Sequence, residues 1–227
     1  AMEKVNVLVV DKTGTLTEGK PTFKSIKSFT NKIDEKQLLS YAASLEKSSE
    51  HPLAESIVGE AKNRNYNLSK VENFQSITGH GIKGTIDGKK IYLGNKKLLN
   101  DLELTLDNAV IAEVEGLQSK GETVMFMVVE QEVVGFITAA DPLKKNSKSA
   151  IHELRKMGVQ VIMLTGDNPQ TAKAVADELN LDGFEAEFLP QDKLNKVKEF
   201  QQQNKIVAMA GDGINDAPAL AAADVGI

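Results

Sequence analysis

Residues 8 to 17 read Leu-Val-Val-Asp-Lys-Thr-Gly-Thr-Leu-Thr, a buried-strand pattern that leads directly into a polar loop. Asp11 stands at the carboxyl end of the predicted strand, and Gly14 lets the chain turn away sharply. In an open parallel sheet this end of each strand faces the binding crevice. A carboxylate there can attack a phosphoryl group without prior deprotonation. The stretch therefore predicts an α/β fold with Asp11 as a phosphate-accepting nucleophile, against the alternative of a loop aspartate that only caps the next segment.

Three further stretches carry compatible chemistry. Residues 165 to 168 read Thr-Gly-Asp-Asn, residues 190 to 193 read Pro-Gln-Asp-Lys, and residues 211 to 218 read Gly-Asp-Gly-Ile-Asn-Asp-Ala-Pro. Together with the first stretch, in this order, they resemble the motifs of P-type ATPases, a branch of the haloacid dehalogenase superfamily. The resemblance covers essentially the whole chain, and it implies an enzyme that forms an aspartyl-phosphate with ATP and Mg²⁺.

The resemblance also implies a role for each matched residue. Thr165 and Gly166 offer a hydroxyl and a backbone N–H to the phosphoryl group, and Lys193 supplies a positive charge. Each role has a plainer alternative: Lys193 as a solvated residue of a lysine-rich helix, and Asp167 as a helix N-cap. The implied catalytic residues are Asp11, Lys12, Thr13, Thr165, Gly166, Asp167, Lys193 and Asn215. The implied Mg²⁺ ligands are Asp11, Thr13 through its carbonyl, Asp212 and Asp216, the last also forming a supporting polar pair with Asn215.

The residue at position 13 predicts slow turnover of the acyl phosphate. Phosphatases of the superfamily place a second aspartate two residues after the nucleophile, where this chain has Thr13. A hydroxyl cannot take a proton from water at neutral pH, so the acyl phosphate should persist until another group hydrolyses it. In P-type ATPases that group arrives on a separate actuator domain, which this sequence lacks.

The spacing of the motifs predicts one domain interrupted by another. Asp11 and Thr165 lie 154 positions apart, far more than the dozen or so residues that a crossover between parallel strands needs. The predicted fold is a Rossmann-like parallel-sheet phosphorylation domain, residues 1–20 and 140–227, with hinges at residues 19–21 and 140–143. Its insert, residues 21–139, is an α+β nucleotide-binding domain with an antiparallel sheet. Predicted elements include helices at 34–47 and 52–64, a hairpin at Asp87-Gly88, and a strand at 185–188.

The insert contains the predicted nucleotide site. Residues 48 to 54 read Ser-Ser-Glu-His-Pro-Leu-Ala and residues 79 to 82 read Gly-His-Gly-Ile, which resemble signatures of heavy-metal-transporting P-type ATPases. An imidazole can stack on adenine, a glutamate can accept from its exocyclic amine, and glycines can admit the base. Alternatively the histidine is only a helix cap, and His80 is incidental. The implied pocket residues are Glu46, His51, Gly79, Gly81, Ile82 and Asn95.

The amino-acid composition narrows the kinds of metal site and partner that the chain can have. The chain has 227 residues, 41% hydrophobic and 26% charged, with a net charge of −5 and no cysteine. These values exclude thiolate metal sites and argue against a nucleic-acid partner. We expect a soluble fragment cut from an integral membrane protein and lying on the cytoplasmic side. It lacks the actuator domain and the transmembrane domains, and the transported ion, which the membrane helices select, does not bind the fragment. Copper(I) is the favoured ion. Zinc, cadmium or cobalt pumps, a free-standing phosphatase with a cap domain, and a nucleotide-binding regulatory module are the alternatives.

Overall fold

The computed structural model describes residues 4–49, 51, 53–211 and 216–227. The chain divides into two compact units: unit 1, Ala1–Gly19 with Ser119–Gly121 and Asp141–Ile227, and unit 2, Lys20–Gln118 with Glu122–Ala140. Within the described ranges, every helix is too short or too polar to traverse a lipid bilayer. In chain order the elements are β1 (Val7–Asp11), β2 (Thr22–Ser28), α1 (Glu35–Glu46), α2 (Ala54–Asn63), β3 (Glu72–Ile77), β4 (Gly81–Ile86), β5 (Lys89–Gly94), α3 (Lys96–Asp101), α4 (Asn108–Gln118), β6 (Thr123–Val129), β7 (Glu132–Ala140), α5 (Ser147–Lys156), β8 (Gln160–Leu164), α6 (Pro169–Leu179), β9 (Gly183–Glu185), α7 (Pro190–Gln202), β10 (Val207–Ala210), α8 (Ala217–Ala222) and β11 (Val225–Gly226).

Unit 1 is built on a parallel sheet with the strand order β11-β10-β1-β8-β9. All five residues of β1 are buried, as a central strand covered on both faces requires. Alternate side chains of β1 enter two cores: Val9 belongs to the cluster that contains Val197 of α7, and Val10 to the cluster that contains Val175 of α6. This doubly covered parallel sheet confirms the predicted α/β class.

Unit 2 is built on an antiparallel sheet with the order β2-β7-β6-β5-β4-β3. Met127 on one face of β6 shares a core with Leu38 and Ile57 of α1 and α2. Phe126 on the other face shares a core with Leu99 of α3. The sheet is therefore covered by helices on both sides, which confirms the predicted mixed fold with an antiparallel sheet.

Local signals set most element ends. The Asp34 carboxylate accepts a hydrogen bond of 2.7 Å from the Gln37 N–H and begins α1 as predicted. Asp87 and Gly88 both have positive φ, 50° and 75°, as a tight hairpin between β4 and β5 requires.

Two predicted boundaries are wrong. Helix α2 begins at Ala54, because a turn in which the Ala54 N–H donates to the His51 carbonyl precedes it; Pro52 lies outside the described residues. Strand β9 spans Gly183–Glu185 and not residues 185–188. The chain turns at Glu187, which has a positive φ of 59°, and the Phe188 N–H donates to the Thr165 carbonyl, so the extended pairing cannot continue.

Candidate active site

The candidate active site of unit 1 lies at the carboxyl edge of its parallel sheet. Asp11 is the last residue of β1 and is paired in register with Leu164, the last residue of β8. On the other side, Val10 is paired with Ala210 at the end of β10. The loops that follow these three strands therefore begin at the same edge, where the crevice of an open α/β sheet forms.

A buried ion triad joins three of the predicted site residues. The Lys193 Nζ lies 2.5 Å from Asp11 Oδ1 and 2.8 Å from Asp216 Oδ1, and all three residues are less than a tenth exposed. Burial has the largest single effect on the pKa of Lys193 and lowers it. The charges and hydrogen bonds of the two carboxylates outweigh burial, so the pKa of Lys193 is raised above its ordinary value. Lys193 is therefore a charged residue inside the site, and its interpretation as a solvated helix residue is wrong.

Gly211 makes room for the Asp216 carboxylate. A Cβ atom at position 211 would lie 2.6 Å from Asp216 Oδ2 and 2.9 Å from its Cβ, closer than real side-chain contacts. The absence of a side chain at Gly211 is thus a packing requirement of the triad. The predicted residues Asp212 and Asn215 lie outside the described residues.

A second ion pair, between the buried Lys12 and the half-buried Asp167, lies in the loops after β1 and β8. The Lys12 Nζ is 2.5 Å from Asp167 Oδ2, and the Thr165 hydroxyl donates to the same oxygen at 3.2 Å. The N-cap of α6 is Asn168, whose side chain accepts from the Thr171 N–H at 3.0 Å. The alternative in which Asp167 caps this helix is therefore wrong.

Donors for an anion lie beside this pair. Thr165 is 3% exposed at the end of β8. Gly166, next in the loop, is exposed, and its N–H donates to no acceptor in the described part of the chain. A hydroxyl and a backbone N–H are thus present in the loop that starts at the same sheet edge as Asp11.

Gly14 was predicted as the turn after Asp11, but the three residues that hold this loop were not predicted from the sequence: Thr17, Asp141 and Lys144. Gly14 has a positive φ of 75°, and its N–H donates to Thr17 Oγ1 at 3.1 Å. The Thr17 hydroxyl, 1% exposed, donates to Asp141 Oδ2 at 2.6 Å, and Lys144 Nζ donates to the Gly14 carbonyl. The only signal in the sequence was position, because Thr17 ends the opening stretch and Asp141 falls at the second predicted hinge.

The oxygen atoms at this edge suit a hard divalent cation. Asp11 and Asp216 bring two buried carboxylates to one ammonium, and Thr13 adds a backbone carbonyl in the loop that follows Asp11. The triad has one net negative charge when all three groups are ionised. Carboxylate and carbonyl oxygens are the ligands that Mg²⁺ takes in proteins, so this donor set fits that ion.

The candidate nucleotide residues lie in unit 2. Glu46 ends α1, is 4% exposed, and its Oε2 has no hydrogen-bond partner within the described residues. His51 is exposed, and its Nδ1 accepts from the Leu53 N–H at 3.2 Å, which makes the Nε2 the protonated nitrogen of the neutral ring. This contact just before α2 is the helix-cap interaction considered above.

The glycine stretch is fixed by strand packing. A Cβ atom at Gly81 would lie 2.3 Å from the Leu93 carbonyl oxygen and 2.6 Å from the Gly94 Cα. Gly81 is therefore required by the approach of β4 to β5 even without a ligand, and its place in the nucleotide pocket stays a prediction. Ile82, 6% exposed, points into the core.

Asn95 and His80 support the same turn. Asn95 caps α3 by accepting from the Lys97 N–H at 2.9 Å, and its amide donates to the Gly79 carbonyl at 2.8 Å. His80, which was predicted to be incidental to the nucleotide site, contacts the Asp101 carboxylate through its Nδ1.

A comparison with family models identifies the broader class. The model described as haloacid dehalogenase-like hydrolase matches residues 5–224. The chain belongs to the haloacid dehalogenase-like hydrolase family. The predicted membership is confirmed, and with it the prediction of an enzyme.

This haloacid dehalogenase-like chain is also similar to metal-transporting ATPases. It is 48% identical over 225 residues to a copper-transporting P-type ATPase of Rhizobium leguminosarum bv. viciae, covering 99% of the chain and 26% of the relative. A crystal structure of a zinc-transporting PIB-type ATPase in the E2.Pi state matches with 37% identity and a TM-score of 0.62, covering 99% of the chain and 36% of that structure. A structure of the catalytic domain of the CPx-ATPase CopB-B matches with 28% identity and a TM-score of 0.77, covering 99% of the chain and 78% of that structure. The predicted resemblance is confirmed, and the chain spans about a quarter of the length of the curated relative.

Proposed function

We propose that this chain carries the phosphorylation and nucleotide-binding parts of a copper-exporting P-type ATPase and accepts the γ-phosphate of ATP on Asp11. The observation that carries the proposal is the buried Lys193 ammonium between the Asp11 and Asp216 carboxylates. A buried carboxylate that serves only structure needs one partner. A nucleophile that receives a phosphoryl group needs surrounding positive charge and donors, which this edge of unit 1 offers.

The covalent step uses one oxygen of the Asp11 carboxylate. That oxygen forms a bond to the γ-phosphorus as the bond from this phosphorus to the β–γ bridging oxygen breaks. The electron pair of the broken bond leaves with ADP, and Asp11 becomes an acyl phosphate. No proton needs to be removed from the nucleophile.

The neighbouring groups compensate charge and hold the loops. Lys193 neutralises part of the negative charge beside Asp11, while the Thr165 hydroxyl and the Gly166 N–H donate to phosphoryl oxygens. Lys12 holds Asp167 between the two loops through their 2.5 Å ion pair. We assign Asn215 to the active site as a further polar group. Mg²⁺, when bound, supplies charge that offsets the phosphate oxygens. Asp11, the Thr13 carbonyl, Asp212 and Asp216 would hold this ion.

The acyl phosphate on Asp11 should be hydrolysed slowly. The hydroxyl of Thr13 is the side chain two residues after the nucleophile, and it cannot act as a base at neutral pH. Hydrolysis would then require a group from another part of the polypeptide. We place that group in an actuator domain, and the ion path in transmembrane segments, because the chain spans 26% of the Rhizobium relative. The two units would lie on the cytoplasmic side of the membrane.

We assign ATP binding to unit 2. The buried Glu46 carboxyl, whose Oε2 has no partner among the described residues, and the exposed His51 ring support a site for a polar, planar group. Gly79, Gly81, Ile82 and Asn95 complete the assignment, the last through its contact with the Gly79 carbonyl.

Copper is the proposed ion because the curated relative with 48% identity is a copper-transporting enzyme. Zinc is the second candidate, favoured by the 37% identity to a zinc-transporting structure. We infer that neither ion binds this chain, since the residues that choose it would belong to the transmembrane segments.

The direct test is covalent labelling by ATP. The chain incubated with Mg²⁺ and γ-labelled ATP should acquire acid-stable, hydroxylamine-sensitive label on Asp11, as an acyl phosphate does. Asp11→Asn should abolish labelling, whereas the matched change Asp87→Asn, in the exposed hairpin of unit 2, should not. Label retained in Asp11→Asn would refute the assignment of the nucleophile. Nucleotide binding without any label in the wild-type chain would instead favour a regulatory nucleotide-binding module.

A further inference from the structure

The segment that contains α5 is basic, although the chain as a whole is acidic. Residues 144–156 contain five lysines or arginines and one acid, Glu153, whereas the net charge of the chain is −5. One of the five is used inside unit 1, because the Lys144 Nζ donates to the Gly14 carbonyl. The other four are exposed: Lys145, Lys148, Arg155 and Lys156. So local an excess of positive charge attracts anions to one part of the surface.

An open groove of about 450 Å³ lies beside these charges in unit 1, between α5 and the end of α6. We call it the basic groove, because three cations and an imidazole line it: Lys145, Lys148, Arg155 and His152. The nearly buried Ile151 lies among them. Of the described residues that line the groove, none is acidic. The groove therefore suits an anionic ligand.

Local structure accounts for two of the four exposed charges. Arg155 is held in place, with its Nη2 3.0 Å from Asp182 Oδ1 and its Nη1 donating to the Asn180 carbonyl at 2.8 Å. The Lys156 Nζ lies 3.0 Å from Glu153 Oε1. Both cations also lie in the last turn of α5, where positive charge stabilises a helix.

The same account fails for Lys145 and Lys148. Neither ammonium group forms an ion pair or a hydrogen bond with the described part of the chain. Lys145 precedes the N-cap Asn146, and Lys148 lies in the first turn, which contains no acid. The helix dipole is positive at this end, so two further positive charges destabilise α5. An anionic partner would remove this repulsion.

The spread of the charges favours an extended anionic surface over a single small anion. Lys145 and Arg155 are ten residues apart, roughly 15 Å along a helix, so one phosphate cannot contact both. The phosphate layer of an anionic leaflet attracts each exposed basic side chain without requiring a fixed geometry. Met157, which follows Lys156, is 73% exposed, more than any other large apolar side chain of the described residues. An apolar side chain next to basic residues can enter the headgroup region.

We propose that the basic groove of unit 1, with Lys156 and Met157 beside it, contacts the phosphate groups of anionic membrane lipids. This inference rests on the proposed function, in which the polypeptide spans a membrane. It assigns a lipid-contacting surface to residues that phosphoryl transfer and nucleotide binding do not use.

Vesicle co-sedimentation of the full 227-residue chain makes the test. The chain should sediment with mixed phosphatidylcholine and phosphatidylglycerol vesicles and not with phosphatidylcholine alone, and binding should weaken as salt is raised. The double change Lys145→Gln with Lys148→Gln should lower the affinity for mixed vesicles about twenty-five-fold, because each basic residue near the surface contributes about fivefold.

A matched variant controls for net charge. Lys62→Gln with Lys198→Gln removes the same two charges from exposed positions on α2 and α7, outside the groove, and should bind as the wild type does. Equal vesicle binding by the two double variants would overturn the assignment of the groove. Full displacement of the wild type from vesicles by glycerol phosphate, at an equal concentration of phosphate groups, would overturn the lipid surface in favour of a small-anion site.

Labelling of Asp11 by ATP separates this inference from the function on which it rests. A wild-type chain that is labelled but ignores mixed vesicles would refute the inference alone, whereas a chain without label would refute the proposed function. The Lys145→Gln and Lys148→Gln double variant should be labelled like the wild type, since neither residue belongs to the active site. If the double variant fails to fold, the single changes decide, each with an expected loss of about fivefold, and unchanged vesicle binding in both would refute the proposal.

Discussion

The free energy of unfolding of unit 2 should depend on pH through the buried Glu46 carboxyl. Its pKa is raised from 4.5 to about 7, and each unit of difference from the unfolded chain corresponds to about 1.4 kcal/mol. The stability that unit 2 gains from holding Glu46 neutral is fully present below pH 4.5. It is lost as pH rises towards 7, because Glu46 ionises in the unfolded chain first. The loss should total about 3 kcal/mol. Glu46→Gln lacks this ionisation, so above pH 7 it should be more stable than wild type by up to that amount.

The assay can isolate unit 2 without dissecting the chain. The three tyrosines, Tyr41, Tyr66 and Tyr92, all lie in unit 2, and the chain has no tryptophan, so tyrosine fluorescence during urea unfolding reports this unit. Wild type, Glu46→Gln and the control Glu35→Gln should be compared near pH 5 and near pH 8. A stability difference between wild type and Glu46→Gln that stays constant across this range would refute the reasoning.

Two further changes test packing and loop geometry. Gly81→Ala should destabilise unit 2 by about 1 to 3 kcal/mol in the same fluorescence assay, because its Cβ would lie 2.3 Å from a β5 carbonyl oxygen. The control Gly59→Ala, where no atom lies within 4 Å, should be neutral or stabilising, and equal effects would argue against the strand contact. Thr17→Val should slow labelling of Asp11 while ATP affinity is unchanged, since it removes the 2.6 Å bond to Asp141. Thr17→Ser should restore the rate, and full activity of Thr17→Val would show that this bond does not shape the loop.

Features that depend on one short stretch of sequence could be predicted. The apolar run before Asp11 predicted a central parallel strand, because such strands are buried on both faces. The motif containing Lys193 could be assigned to the same sheet edge, and the structure brings its ammonium to Asp11. The hairpin at Asp87 followed from the local need for positive φ.

Contacts between distant stretches could not be predicted. Asp167 was predicted as a catalytic residue with a helix cap as the alternative, and only the folded chain shows that Lys12 contacts it while Asn168 caps α6. Gly81 was expected to admit a base, and only the folded chain shows that its pairing with Gly94 across two strands also requires a glycine. These outcomes depend on register and tertiary packing, which a single sequence does not display.

The central claim is that Asp11 receives the γ-phosphate of ATP and keeps it. Rapid-quench measurement of ADP and phosphate release by this chain, with ATP and Mg²⁺, tests the claim most directly. The account predicts a stoichiometric burst of ADP with little free phosphate, abolished in Asp11→Asn, because Thr13 cannot activate water. Sustained, Asp11-dependent release of phosphate from p-nitrophenyl phosphate over many turnovers would contradict it and identify a free-standing phosphatase.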